Sequence, residues 1–144
     1  MPTPPYRLLP HTTDAYIEAV GSTFEQALES AGASLFDTMC NLKAVSPKIV
    51  DEIQVEGADE LALLYEWLEA LLLKFELEHM VYSGFQVKLV KKAEGGMSIH
   101  ATIRGEHYDR RKHGAKVEVK AVTYHRMQVE RGSTKTSIRF ILDL

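Results

Sequence analysis

The sequence of 144 residues contains a single cysteine, Cys40, which excludes an intramolecular disulfide and a cysteine-rich zinc module. No basic segment followed by an apolar run is present, so no signal peptide is predicted. The most apolar stretch, residues 61–75, is interrupted by Glu66, Glu69 and Lys74, which excludes a membrane span. These absences together predict a cytoplasmic protein with no membrane partner.

Several catalytic signatures are also missing. The chain has no glycine-rich phosphate loop, no Gly-x-Ser-x-Gly nucleophile elbow and no His-Glu-x-x-His metal motif. Cys40 comes at the end of an apolar helical pattern, where burial suppresses the thiolate, so we predict a packed thiol and not a nucleophile. The sequence therefore offers no standard route to nucleotide binding or covalent catalysis.

The length and composition are those of one globular domain, residues 1–144, with 45% hydrophobic and 26% charged residues. The charge is divided along the chain: residues 1–80 hold 4 basic and 14 acidic side chains, and residues 81–144 hold 13 and 6, giving the net charge of −3. Because the basic residues are scattered along predicted strands, we interpret the division as acidic helices lying over a basic sheet. A dipolar surface that steers a charged partner is the alternative.

Two helices are predicted in the first half. A capping box at residues 22–25, with Ser22 as the N-cap, precedes apolar residues at helical spacing, the last of them Met39. Gly32 within this helix indicates close packing. A second helix is capped by Asp59 and carries a broad apolar stripe up to Phe75.

Alternation with period two predicts the strands. Residues 15–20 form a short extended run, and Ile49, Ile53 and Val55 share a face that also carries Asp51. A hairpin turns at residues 94–96, a polar loop follows at residues 105–114, and further strands cover residues 116–123 and the last residues to Leu144. Hairpins beside two main helices predict an α+β fold with a largely antiparallel β-sheet.

Two aspartates stand out by position. Asp14 ends a polar cluster at residues 11–14, and Asp143 interrupts the apolar last strand, where aspartate is disfavoured. The two carboxylates can meet only if the first and last segments are neighbours in the sheet, and a hard divalent cation would then relieve their repulsion. On the residues alone, the plainer alternative is favoured: Asp14 caps a turn and Asp143 ends in solvent.

The remaining polar candidates also have plain interpretations. Lys116, Glu118 and Lys120 alternate as an exposed strand face would, and His125 stands at a predicted strand–turn junction. The loop at residues 105–113 carries both charges and an aromatic residue, so it suits either contact with RNA phosphates or simple solvation, of which solvation is favoured.

The same positions carry a resemblance to the archease family, the activators of the tRNA-splicing RNA ligase that joins 3′-phosphate ends. The resemblance extends in order over residues 11–14, 21–25, 33–39, 67–71, 105–109 with His113, 118–125 and 141–144. The segment Lys-Ala-Val-Thr-Tyr-His, from Lys120 to His125, and the ending Leu-Asp-Leu are its most specific parts.

This resemblance implies an archease-like fold and a non-catalytic role. Asp14 and Asp143, with a main-chain carbonyl near the C-terminus at Leu144, correspond to a metal site, for which Ca²⁺ and Mg²⁺ are both candidates. Lys120 corresponds to a lysine needed for activation, and His125 belongs to the same motif. The partner would be the RNA ligase, whose guanylylation and repeated turnover the family promotes. Contact with tRNA or GTP would be indirect, through the ligase.

The chain departs from the family pattern at three places. Thr13 replaces an alanine, Cys40 and Asn41 replace a Thr-Asp pair, and Arg110 and Arg111 replace Pro-Glu, which makes that loop more basic. Two other functions stay open. One is a metal-dependent hydrolase using Asp14, Asp143 and a histidine, and the other is an RNA-binding or chaperone-like adaptor acting through the basic half.

Overall fold

The computed structural model describes residues 4–10 and 14–144. Its elements are β1 (Tyr6–Leu9), β2 (Ala15–Gly21), α1 (Phe24–Met39), β3 (Ile49–Gly57), α2 (Glu60–Glu78), β4 (Met80–Lys91), β5 (Met97–His107), α3 (Arg110–His113), β6 (Ala121–Arg131) and β7 (Thr136–Asp143). The predicted α+β class, with two main helices, is confirmed.

The strands form two antiparallel sheets. One has the order β1-β2-β7-β6 and the other the order β3-β5-β4. The prediction of antiparallel strands is confirmed, while their division between two sheets is a feature that the alternation pattern did not predict. Pairing of β2 with β7 places the beginning and the end of the chain side by side.

The two long helices pack against each other and against both sheets. Buried Trp67 of α2 donates its Nε1–H to the carbonyl of Leu28 in α1, at 2.8 Å. At Gly32 a Cβ atom would lie 3.1 Å from Leu71 and 3.2 Å from the Phe85 ring, so the predicted close packing is confirmed. The hydrophobic core therefore lies around the contact of α1 with α2.

The helix caps are partly as predicted. Asp59 caps α2 by accepting from the Ala62 N–H at 2.8 Å, which confirms the prediction. The predicted cap of α1 is wrong by one residue, because Thr23 and not Ser22 accepts from the Gln26 N–H, at 3.1 Å. The Gln26 side chain in turn accepts from the Ser22 N–H at 3.0 Å, so Thr23 and Gln26 take the capping roles that were predicted for Ser22 and Glu25.

The polar loop predicted at residues 105–114 is shorter than expected. Strand β5 continues to His107, and α3 forms one helical turn directly after Asp109, whose side chain accepts from the Arg111 N–H at 2.9 Å. Cys40 is buried, as predicted, and burial with the nearby Asp37 carboxylate raises the pKa of its thiol to about 11.

The strand predicted at residues 116–123 begins only at Ala121. Residues 114–120, here called the strap, belong to no helix and lie outside both sheets. The strap bonds to the end of α1 instead: the Lys116 N–H donates to the Met39 carbonyl at 2.9 Å, and the Val117 N–H to the Thr38 carbonyl at 3.3 Å. The carbonyls at the C-terminal end of a helix have no intrahelical partner. Those of Met39 and Thr38 therefore accept from the strap N–H groups that a neighbouring strand would otherwise have bonded.

In the described parts of the chain, no helix is both long enough and apolar enough to cross a bilayer.

Candidate functional site

The β2–β7 ladder satisfies the condition under which the two aspartates can meet. Ala15 pairs with Leu142, so Asp14 just before β2 and Asp143 at the end of β7 lie at the same end of two adjacent strands. The register thus places the two aspartates at one end of the sheet, and Asp143 is exposed to solvent there.

Lys120 reaches the same end of the sheet through its main chain. Its N–H donates to the Asp143 carbonyl at 2.7 Å, and the next residue, Ala121, pairs with Asp143 in the β6–β7 ladder. We call Asp14, Lys120, Asp143 and Leu144 the tip. Lys120 and Asp143 are exposed there, while Asp14 and Leu144 are half-buried. Residues 11–13 of the predicted polar cluster lie outside the described residues.

His125 occupies a different environment from the one predicted. It lies inside β6 and not at a strand–turn junction, in a bulge where the β6–β7 register shifts between Thr123 and Gln128. Its main-chain N–H donates to the Thr123 hydroxyl at 3.1 Å, and Arg126 beside it has a left-handed φ of 57°. The bulge therefore presents His125 to solvent further along β6 than the tip.

The oxygen donors at the tip define which metals it suits. Two carboxylates and nearby main-chain carbonyls make a hard donor set, as Ca²⁺ and Mg²⁺ prefer, with water completing the coordination shell. Within residues 4–10 and 14–144, no group of three or more His, Cys, Asp or Glu side chains is placed to hold a metal. The hydrolase hypothesis therefore finds no third side-chain ligand in the described part of the chain.

A cavity of about 440 Å³ adjoins the tip, and Asp14 and Leu144 contribute to its wall. Inside it, Asp37 accepts from the Tyr6 hydroxyl at 3.1 Å and from the Lys116 ammonium at 3.2 Å. Burial and the Asp37 carboxylate raise the pKa of Tyr6 to about 12. Lys116 is thus engaged with the end of α1 and lies outside any strand, which corrects its assignment to a strand, while its side chain stays exposed as predicted.

Sequence reasoning missed Asp37 as a site residue because nothing local marks its role. Its partner Lys116 lies 79 positions away, and the Lys116 ammonium also donates to the Asp37 carbonyl at 2.9 Å. A cation at a helix C-terminus is favourable, but the sequence does not indicate which lysine reaches which helix.

The loop at residues 105–113 is held in place by hydrogen bonds to Glu106. Glu106 accepts from the Lys112 ammonium at 2.6 Å, from the Ser46 N–H at 2.9 Å and from buried His113 Nε2 at 2.7 Å. His113 Nδ1 accepts from the Asp109 N–H at 2.9 Å, which leaves the Nε2 proton to be donated to Glu106. The prediction of a simply solvated loop is therefore wrong for Glu106 and His113.

These hydrogen bonds, first that from Lys112 and then those from Ser46 and His113, lower the pKa of Glu106 to about 2. The carboxylate is consequently held in its charged form. The His113 carbonyl also accepts from the Asn41 N–H at 2.8 Å, so the start of the strap is fixed against the end of α1.

Comparisons with known proteins agree with this architecture. The family model described as the Archease protein family matches residues 6–144. Protein archease of Methanopyrus kandleri is 40% identical over 140 residues, covering 97% of this chain and 99% of that protein. Protein archease of Pyrococcus abyssi is 42% identical over 121 residues, covering 84% of each.

Two solved structures resemble the fold. The solution structure of Methanobacterium thermoautotrophicum protein 1598 has a TM-score of 0.87 at 30% identity, covering 99% of this chain and 100% of that one. A crystal structure from Thermotoga maritima, described as an archease and possible chaperone, has a TM-score of 0.62 at 16% identity, covering 96% of each chain. The second similarity concerns the fold alone.

Proposed function

The chain belongs to the archease family, and from this membership we propose that it is a non-catalytic activator of the tRNA-splicing RNA ligase acting on 3′-phosphate ends. It promotes guanylylation of the ligase and so supports multiple turnover. The observation that carries this proposal is the β2–β7 register together with the Lys120–Asp143 hydrogen bond, because these join three distant segments at one exposed end.

The tip has the chemistry that such an activator needs. Asp14, Asp143 and the main-chain carbonyl of Leu144 would hold a Ca²⁺ or Mg²⁺ ion, which supplies positive charge toward phosphate oxygens when bound. Lys120 adds an ammonium group whose main chain is fixed by the Asp143 carbonyl. Positive charge held at a fixed place favours triphosphate binding and departure of pyrophosphate in the ligase active site.

Asp143→Asn tests the role of the carboxylate with little change in volume. Asp143 is exposed and its main-chain carbonyl stays available to Lys120, so the variant should fold as the wild type does. We expect stimulation of the ligase to be lost while the melting temperature is unchanged. The measurement is RNA ligation with substrate in excess over ligase, and Glu94→Gln, an exposed change in the hairpin turn, is the control.

The metal part of the proposal has its own measurement. Calorimetric titration of the purified chain with Ca²⁺ and with Mg²⁺ should show one site that is lost in Asp14→Asn and in Asp143→Asn. Equal binding by the wild type and both variants would contradict the assignment of these aspartates as ligands.

A further inference from the structure

The cavity beside the tip shares two wall residues with it. It lies between β1, the C-terminal half of α1 and the strap, and Asp14 and Leu144 belong both to its wall and to the tip. A protein surface that contacts Asp14 and Leu144 at the tip therefore lies beside this cavity.

The charged side chains of Arg7, Lys116 and Asp37 in the cavity wall have ion-pair partners within this chain. Arg7 Nε lies 3.0 Å from Glu18 Oε1, and the Lys116 ammonium lies 3.2 Å from Asp37 Oδ1. The second Glu18 oxygen accepts from Arg139 at 2.9 Å, so both partners of that carboxylate are cationic. A charged guest would lose its hydration, and the polar groups of Arg7, Lys116 and Asp37 already have partners within this chain, which favours an uncharged guest.

The rest of the wall is apolar, and part of it is open to solvent. Leu9, Ile17 and Val117 contribute hydrocarbon surface, together with Leu8 and Leu144. Leu8 is 71% exposed and Val117 is 44% exposed. Burial of such surface is favourable in proportion to its area, and apolar anchors in pockets contribute much of the binding energy at protein interfaces.

We propose that this cavity is an anchor site that receives a large uncharged apolar side chain of the protein that engages the tip. The identification of that protein as the RNA ligase rests on the proposed function above. In this arrangement the tip acts on the ligase reaction, and the cavity supplies affinity and sets the orientation of the tip.

Two variants in the cavity have matched controls elsewhere on the surface. Leu8→Asp is compared with Leu77→Asp, since Leu77 is 73% exposed, and Val117→Asp with Val50→Asp, since Val50 is 50% exposed. Each is titrated against a fixed amount of ligase, and guanylylation is followed with labelled GTP. Circular dichroism and melting temperature establish that each variant is folded.

We expect Leu8→Asp and Val117→Asp to raise the concentration for half-maximal activation by about tenfold or more, the effect of losing an anchor residue. Maximal stimulation at saturation should stay at the wild-type value. The activation curves of the two control variants should superimpose on the wild-type curve. Should an aspartate variant fail to fold, Leu8→Ala and Val117→Ala replace it, with a smaller shift in the same direction.

The possible results separate the two proposals. If the wild type activates the ligase and the cavity variants match their controls, the anchor site is wrong while the activator function stands. The anchor site is also wrong if the cavity variants lower only the maximal stimulation. If the folded wild type gives no activation at any concentration, both proposals are wrong.

Discussion

Asp51 shows how a single acidic residue is accommodated on the inner face of a strand. It shares its face of β3 with Ile49, Ile53 and Val55, and its Oδ2 accepts from the hydroxyl of fully buried Tyr82 at 2.5 Å. Burial and this carboxylate raise the pKa of Tyr82. The tyrosine hydroxyl thus satisfies a carboxylate that would otherwise destabilise the fold.

Tyr82→Phe should therefore lower the free energy of unfolding by about 1–3 kcal/mol, because it leaves the half-buried Asp51 without its donor. Urea unfolding at neutral pH measures the change. Tyr124→Phe is the control, since Tyr124 is 53% exposed and keeps its ring stacked on Tyr65 without the hydroxyl. Equal effects of the two substitutions would contradict the importance of the Tyr82–Asp51 hydrogen bond.

Residue roles were predictable where a local pattern carries them and not otherwise. The Asp59 cap follows from its place before an apolar helix pattern, and Gly32 from its place within one. The partners Tyr82–Asp51 and Lys116–Asp37 are 31 and 79 positions apart in sequence, so only the tertiary fold decides that they meet. Asp14 and Asp143 were recognisable as unusual residues, but their proximity depended on an unknown strand order.

At the scale of elements, the strap explains why a strand was predicted to begin at residue 116, although β6 begins only at Ala121. Alternating side chains are common to any extended segment, whether it pairs in a sheet or not. Apolar and polar residues alternate in the strap as well, yet its Val117 and Lys116 N–H groups donate to the carbonyls of Thr38 and Met39 at the end of α1. The His125 bulge breaks the alternation within β6, because Tyr124, His125 and Arg126 are all exposed between buried Val122 and buried Met127.

The Glu106 network that fixes the strap should make stability depend on pH. The pKa of Glu106 is lowered from 4.5 to about 2 in the folded protein. A carboxyl with a lowered pKa stabilises the fold above its unfolded-state value, and this contribution is lost as pH falls from about 4.5 toward 2.

We therefore expect wild type to be more stable than Glu106→Gln at pH near neutrality, with the difference shrinking as the pH falls from about 4.5 to about 2. Urea unfolding of both proteins across this range is the measurement. Glu94→Gln, in the exposed hairpin turn, serves as the control and should follow the wild type. A difference for Glu106→Gln that is constant with pH would contradict the role of the charged carboxylate.

At the scale of the whole molecule, the charge division along the sequence is mixed by the sheet topology. Strands β1 and β2 of the acidic half lie in one sheet and β3 lies in the other, and β2 and β3 pair with β7 and β5 of the basic half. The hypothesis of acidic helices over one basic sheet is therefore too simple. The order of strands depends on long-range pairing, which the alternation of single segments does not encode.

This mixing has a consequence for the RNA-adaptor alternative. We expect the chain alone to bind tRNA no more tightly than nonspecific contacts do, with a Kd of roughly 10⁻⁴ M or weaker at physiological salt. Fluorescence anisotropy with labelled tRNA at two salt concentrations is the measurement. Tight binding that weakens steeply with salt would favour the adaptor over the ligase activator.

Guanylylation of the RNA ligase is the measurement that tests the proposed activator function. The ligase, labelled GTP and a divalent metal are incubated with and without substoichiometric amounts of this protein, in parallel with Lys120→Ala and Asp143→Ala. We predict that each wild-type molecule promotes labelling of several ligase molecules and that both variants lose this stimulation. Absence of stimulation by the folded wild-type protein would contradict the account.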